Sequence, residues 1–297
     1  MPRLMACTDD RILALEEAME DLTLSGFDPR EEESLAHATS VLRRLGNDRG
    51  FLAEMMLREL QNRHHLQEDD NAYGPQVIAL GRAGTDCLLR ANLWPSAQEA
   101  VMRSSGGEAF VYDLPHDHNF SFLTLGYMGP GYWSDFYETD YHAIDGWQGE
   151  PVALRPMGRH RLEQGRIMLY RAHVDVHAQL PADSLSISLN ILHTGAAQGW
   201  LDQYRFDVDR GQIAGQLAHG SSEAFLRIAV GLGQAGALDL AEAFARGHPS
   251  ERMRMHAWDA LASVSEDRDA LWARAERGGS RMVAREAFRR RKVLEEG

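Results

Sequence analysis

The sequence predicts a mainly β domain with helical regions on both sides. Between residues 71 and 212, short apolar runs alternate with turn residues, a pattern typical of a sandwich or barrel. This stretch lacks strand–helix–strand alternation, which argues against a doubly wound sheet. On either side, apolar residues recur at helical spacing. We therefore divide the chain into a helical region (residues 1–70), a β-barrel (residues 71–212) and a second helical region (residues 213–297).

The N-terminal region has helical periodicity over residues 9–66. Ile12, Leu15, Met19 and Leu22 fall on one helical face. A second set with the same kind of spacing comprises Leu52, Met55, Met56 and Leu60. We expect helices here, ending near Gly26 and Gly46.

Six apolar runs predict the strands of the central region. They cover residues 77–80, 87–94, 120–127, 151–154, 165–170 and 184–192. In the last run, Leu185, Ile187, Leu189 and Ile191 alternate with polar residues. That two-residue period is typical of a strand with one buried face.

The C-terminal region predicts five helices. They cover residues 225–232, 238–245, 253–264, 270–276 and 283–294. Paired amphipathic helices of this length resemble HEAT-type repeats, and a small helical bundle explains them equally well. Either arrangement could hold a peptide substrate or support a homodimer.

Composition excludes several classes of protein. A formal net charge of −13 repels phosphates, so we expect no nucleic-acid partner. No run of apolar residues is long enough to span a membrane, and the N-terminus lacks an apolar signal core, so we expect a cytoplasmic protein. Cys7 and Cys87 form neither a zinc-binding pair nor a disulfide framework.

The segment Pro115-His116-Asp117-His118 is the most informative motif. In an extended strand, residues i and i+2 point to the same side, so His116 and His118 could bind one metal ion together. His177 is the best candidate for a third ligand, and His173 remains an alternative. Alternation places Asp117 on the opposite face.

This pattern resembles the cupin superfamily, and within it the thiol dioxygenases related to cysteine dioxygenase. In cupins, a His-x-His motif precedes a glycine-led strand and a single later histidine. Here the matching parts are the motif at His116 and His118, the run from Gly165 to Tyr170, and His177. The resemblance covers roughly residues 76–192. It implies a double-stranded β-helix, or jelly-roll, barrel that binds Fe(II) or another divalent transition metal.

The resemblance also implies a metal site with three histidine ligands. Many cupins add a glutamate a few residues after the second histidine, but residues 119–123 contain no carboxylate. Glu138, a hairpin further along, is the alternative fourth ligand. Three histidines leave coordination positions for substrate and O₂.

Several positions depart from cysteine dioxygenase. Leu123 stands in the region of that enzyme's crosslinking cysteine, and only Ser188 is retained from a later Ser-His-Tyr set. The arginine that binds the substrate carboxylate has no clear counterpart, and Gln76 lies nearest by spacing. Free cysteine is therefore a poor candidate substrate. The aromatic segment 126–138 is either a substrate lid or a hairpin packed on the barrel.

Candidate catalytic residues are Tyr170 and Arg171, where a substrate carboxylate could dock, and Ser188, which could face the cavity. The leading hypothesis is a non-haem Fe(II) oxygenase that oxidises a small molecule or peptide with O₂. One alternative is a non-oxidative cupin metalloenzyme with Zn, Mn or Ni. The other is a cupin that only binds or senses a ligand.

Overall fold

The computed structural model describes residues 1–61, 76–217 and 222–296. These residues form two compact units. The first unit comprises residues 1–141 and 153–198, and the second comprises residues 142–152 and 199–297.

Nine strands form the β structure of the first unit. They are β1 (Arg3–Met5), β2 (Val77–Ala83), β3 (Cys87–Trp94), β4 (Phe122–Met128), β5 (Tyr132–Glu138), β6 (Arg155–Leu162), β7 (Ile167–Tyr170), β8 (Asp175–Gln179) and β9 (Ser186–His193). Six of them make one sheet in the order β1-β7-β4-β9-β3-β2, and three make another in the order β6-β5-β8. Neighbouring strands within both sheets run antiparallel.

Side-chain alternation gives the six-stranded sheet two different faces. In β9, Leu189 and Ile191 belong to the core cluster beneath the N-terminal helices, whereas Leu192 belongs to a second cluster. This second cluster joins residues of the six-stranded sheet, such as Phe122, to residues of the three-stranded sheet, such as Phe136. The two sheets therefore face each other across an aromatic interior.

Three helices cover the outer face of the large sheet. They are α1 (Leu15–Ser25), α2 (Glu32–Asn47) and α3 (Phe51–Gln61). Leu22 of α1 and Leu42 and Leu45 of α2 are buried with the outward-facing leucines of the sheet. A short helix, α4 (Ala100–Ser105), follows β3.

The second unit contains a β-hairpin and five helices in its described part. The hairpin strands are β10 (Tyr204–Asp207) and β11 (Gln212–Gln216), and the helices are α5 (Ser222–Gly231), α6 (Ala237–Gly247), α7 (Glu251–Val264), α8 (Arg268–Glu276) and α9 (Arg281–Glu296). Their core is built around Trp258 and Trp272.

The predicted helices and most of the predicted strands are confirmed, with three differences. Residues 151–154 form no strand, only an isolated bridge at Pro151, because this segment lies outside both sheets of the first unit. Strands β1, β5, β6, β8, β10 and β11 were not predicted. The aromatic segment 126–138 is not a paired hairpin: it crosses from β4 in the six-stranded sheet to β5 in the three-stranded sheet, and Tyr132 and Phe136 are buried. Its tight turn uses Gly131 at φ +79°.

Other predictions remain untested. The helix end at residue 66 and the boundary at residue 70 lie outside the described residues. The boundary at residue 212 and the choice between HEAT-like repeats and a bundle stay predictions. In the described part of the chain, no helix is both long enough and apolar enough to cross a membrane.

Candidate metal centre

The centre begins with a backbone bridge between two distant segments. The His116 N–H donates to the His177 carbonyl at 3.0 Å, and the His177 N–H donates to the His116 carbonyl at 2.9 Å. His177 lies in β8, which also pairs with β5 through Phe136. His118 was predicted to share a strand with His116. Instead it lies in irregular backbone, where its carbonyl accepts from the His173 N–H at 2.8 Å.

The three imidazoles converge. One nitrogen from each of His116, His118 and His177 lies within 4.8 Å of the others. The ring centroids are 4.5 Å apart for His116 and His177, 4.8 Å for His116 and His118, and 5.0 Å for His118 and His177. Nitrogens this close can reach one transition-metal ion between them.

All three rings are held in the neutral state that metal binding requires. Burial lowers the pKa of His116 to about 4, although the hydrogen bond to the Leu114 carbonyl opposes this. Burial also lowers the pKa values of His118 and His177 well below the usual range, and the neighbouring imidazoles add to the effect. Uncharged rings present their lone pairs to a metal at neutral pH.

Hydrogen bonding indicates which nitrogens remain for a metal. Nδ1 of His116 lies 2.7 Å from the Leu114 carbonyl, which fixes the proton on Nδ1 and leaves Nε2 as the donor. In the part of the chain that the structure describes, neither ring nitrogen of His177 has a hydrogen-bond partner. Buried polar atoms rarely lack partners, so this ring suits a metal ligand.

The two alternative ligands lie outside this group. His173 packs its ring on Tyr141, with 4.0 Å between centroids, and its Nδ1 lies 3.9 Å from Asp117. Asp117 is fully buried there. Glu138 forms an ion pair with Arg171 at 2.7 Å. Neither side chain joins the three converging imidazoles.

Aromatic rings enclose the imidazoles. His118 contacts Phe120 and Phe122, with centroids 4.8 Å and 5.0 Å away. The ring of Tyr170 stands edge-on to His177 at 4.8 Å and stacks on Phe122 at 4.6 Å. These contacts line the centre with apolar surface and hold the imidazole planes in place, with His118 partly exposed.

The three predicted catalytic residues have different surroundings in the structure. Tyr170 is beside His177, and burial raises the pKa of its phenol, so it stays protonated. Arg171 pairs with Asp175 and Glu138, each at 2.7 Å, and these carboxylates occupy its guanidinium. Ser188 faces the interior, where its Oγ accepts a hydrogen bond from Trp94 Nε1 at 3.0 Å. A catalytic role for each stays a prediction.

Arg90 is an interior residue that no sequence motif pointed to. It lies on β3, is only 7% exposed, and its charge contributes to the low pKa of His118. Its guanidinium carbon lies 6.0 Å from the centre of the Phe120 ring. Alternation from Trp94, which also faces the interior, would have placed Arg90 on the same face.

Comparisons with known proteins give distant likenesses. No family model matches the chain, and no curated protein matches it. Similar solved structures include the hydroquinone 1,2-dioxygenase from Sphingomonas sp. TTNP3 with 4-hydroxybenzoate bound. It is 13% identical over 45% of this chain and 72% of that one, with a TM-score of 0.29.

The salicylate 1,2-dioxygenase from Pseudaminobacter salicylatoxidans is another likeness. It is 11% identical over 47% of this chain and 33% of that one, with a TM-score of 0.26. A structure of DMSP lyases is 15% identical over 44% of this chain and 52% of that one, with a TM-score of 0.25. TM-scores this low establish neither the fold nor the function of this chain.

Proposed function

We propose that this chain is a cupin-type, non-haem Fe(II)-dependent oxygenase that oxidises a small molecule or peptide with O₂. The observation that carries the proposal is the convergence of His116, His118 and His177, one nitrogen from each lying within 4.8 Å of the others. Two facing antiparallel sheets with this cluster between them are consistent with a jelly-roll barrel.

The donor set fits the proposed metal. Three neutral imidazoles without a carboxylate suit a borderline divalent ion, and all three pKa values are lowered so that protons do not compete. Iron held in this way supplies the redox chemistry that activates O₂.

The chain's own residues shape the surroundings of the centre. Phe120, Phe122 and Phe136 line the imidazoles with apolar surface, and Tyr170 holds the orientation of His177 by its edge-on contact. We propose Tyr170 as a positioning residue. Its phenol is also a neutral hydrogen-bond donor at physiological pH, because burial raises its pKa.

The position of Arg90 supports the proposal that the substrate carries an anionic group. A buried guanidinium on the interior face can bind a carboxylate with two parallel hydrogen bonds. Asn92 and Asn190 are buried on the same face, where the Asn190 side chain donates to that of Asn92 at 3.3 Å. We propose that Arg90 replaces Arg171 as the carboxylate-binding residue, since Arg171 already holds two carboxylates.

The donor set also supports a second candidate function. Three histidines are a common ligand set for catalytic zinc, so a non-oxidative metalloenzyme would use the same centre. A cupin that only binds a ligand would not need the metal.

Oxygen uptake after metal reconstitution separates these functions. Metal-free protein is loaded anaerobically with Fe(II), or with Zn(II) as the matched control, and small carboxylic acids bearing thiol, hydroxyl or phenol groups are screened with an oxygen electrode. Substrate-dependent O₂ uptake by the iron form alone would support the oxygenase. Turnover of a substrate by the zinc form without O₂ uptake would support the second candidate.

A further inference from the structure

We propose that the second unit carries a binding groove for an acidic peptide segment in extended conformation. A cavity of about 650 Å³ lies among residues 146–148, the β10–β11 hairpin, α7 and α9. We call it the basic groove, and its characteristic lining residues are Trp147, Arg205, Arg285, Phe288 and Lys292. This volume is typical of a ligand site.

Three cations in the basic groove have no carboxylate partner among the residues that the structure describes. Within the described residues, Arg205, Arg285 and Lys292 form no ion pair. The three other arginines of the groove do: Arg252 pairs with Asp202 at 2.6 Å, Arg289 pairs with Glu286 at 3.4 Å, and Arg290 pairs with Asp259. The unpaired charges therefore remain to attract an anion.

The acidic residues that line the basic groove do not neutralise its unpaired positive charges. Its two lining carboxylates are Asp259 and Glu286, and both are engaged by Arg290. A locally positive groove in a chain whose net charge is −13 concentrates anionic partners at this site.

Two of the unpaired cations lie over aromatic rings. The Arg285 guanidinium carbon is 4.6 Å from the Trp147 ring centre, and the Lys292 Nζ is 5.0 Å from the Phe288 ring centre. Cation–π contact holds each charge beside a flat apolar surface. The matching ligand alternates carboxylates with aromatic or aliphatic side chains.

The spacing along α9 favours an extended peptide. Arg285 and Lys292 lie two helical turns apart on one face, which corresponds to about 10 Å at 1.5 Å per residue. In an extended chain, side chains on one face repeat about every 7 Å, so acids two and four positions apart, about 7 and 14 Å, bracket that distance. A single-stranded nucleic acid fits less well, because the rest of the chain repels phosphates.

The test uses the full chain and is independent of the metal centre. The probe is a fluorescein-labelled heptapeptide, Glu-Phe-Glu-Leu-Glu-Phe-Glu, followed by fluorescence anisotropy at low salt. The variant is the double substitution Arg285→Glu with Lys292→Glu. The matched control is Arg277→Glu, an exposed arginine at the end of α8 that does not line the groove.

We expect the double variant to bind the heptapeptide at least about tenfold more weakly, because reversing two charges replaces attraction with repulsion. The control should bind within about twofold of the unaltered protein. Three results would overturn the proposal: no saturable binding by the unaltered protein, equal binding of the peptide with Gln in place of every Glu, or tighter binding of a labelled oligo(dT).

Discussion

His116 and His177 exchange both of their backbone hydrogen bonds, at 3.0 and 2.9 Å, and their imidazole centroids lie 4.5 Å apart. The bridge fixes two candidate metal ligands through the main chain, so their approach does not depend on side-chain packing alone. His118 follows two residues after one member of this pair and reaches the same point. Backbone pairing of this kind preorganises a metal site.

The first prediction concerns metal content. We expect His118→Ala and His177→Ala to lower bound iron from about one per chain to less than about a tenth, because each removes one of three ligands. His160→Ala is the control, since His160 lies outside the converging group. The measurement is elemental analysis of untagged protein after anaerobic loading with Fe(II).

The His173→Ala variant decides between the two candidates for the third ligand. We expect it to retain its iron, because the ring of His173 packs on Tyr141 and faces Asp117. Loss of iron from this variant with retention in His177→Ala would reverse the assignment.

The second prediction concerns Arg90. Once a substrate is found, Arg90→Gln should raise KM for anionic substrates by about 10- to 100-fold, the effect of losing a charged hydrogen-bond pair. Iron content should stay unchanged, because Arg90 supplies no ligand. Steady-state kinetics with elemental analysis measure both quantities.

Two further variants make the Arg90 experiment decisive. Arg90→Lys keeps the buried charge and should recover part of the affinity, while Arg82→Gln removes an exposed arginine from β2 and should have no effect. An unchanged KM in the Arg90→Gln variant would contradict the proposal that the substrate carries an anionic group.

The third prediction concerns the turn between β4 and β5. A Cβ on Gly131 would lie 1.8 Å from the Leu162 carbonyl oxygen, so Gly131→Ala must displace the backbone of the β4–β5 turn or of Leu162. Gly84, in the β2–β3 turn, also has positive φ, but its nearest contact would be 3.6 Å away. We expect Gly84→Ala to cost about 1–2 kcal/mol from backbone strain alone.

Gly131→Ala should cost more than about 3 kcal/mol, because it adds the clash with Leu162 to the same strain. Thermal unfolding followed by circular dichroism compares the two variants. Similar melting temperatures would mean that the backbone around Gly131 relieves the clash more readily than the structure indicates.

The fourth prediction concerns the two thiols. Cys87 is fully buried, and burial raises the pKa of its thiol to about 12, so it stays protonated and shielded at pH 8. Cys7 is partly exposed. Ellman's reagent should therefore titrate one thiol in the folded protein and two after denaturation. Cys7→Ser is the control, and in its folded state this variant should show no reaction with Ellman's reagent.

Much of the architecture was predictable from local patterns. The alternation from Leu185 to Ile191 predicted the strand that the structure shows at Ser186–His193, because its core face is apolar throughout. Helical spacing predicted α1–α3 and α5–α9, since amphipathic faces depend on nearby residues alone. The position of residues 151–154 outside both sheets of the first unit has no such local signal.

By itself, the sequence determined the candidate histidines: His116 and His118 through their spacing, and His177 through its place after a glycine-led run. The tertiary structure decided which residues these histidines contact. It brought His177 against His116, turned His173 toward Asp117 and placed Arg90 inside the aromatic interior. The physical reason is that spacing governs which side a residue faces, whereas pairing between segments about 60 residues apart depends on the whole set of backbone hydrogen bonds and buried contacts.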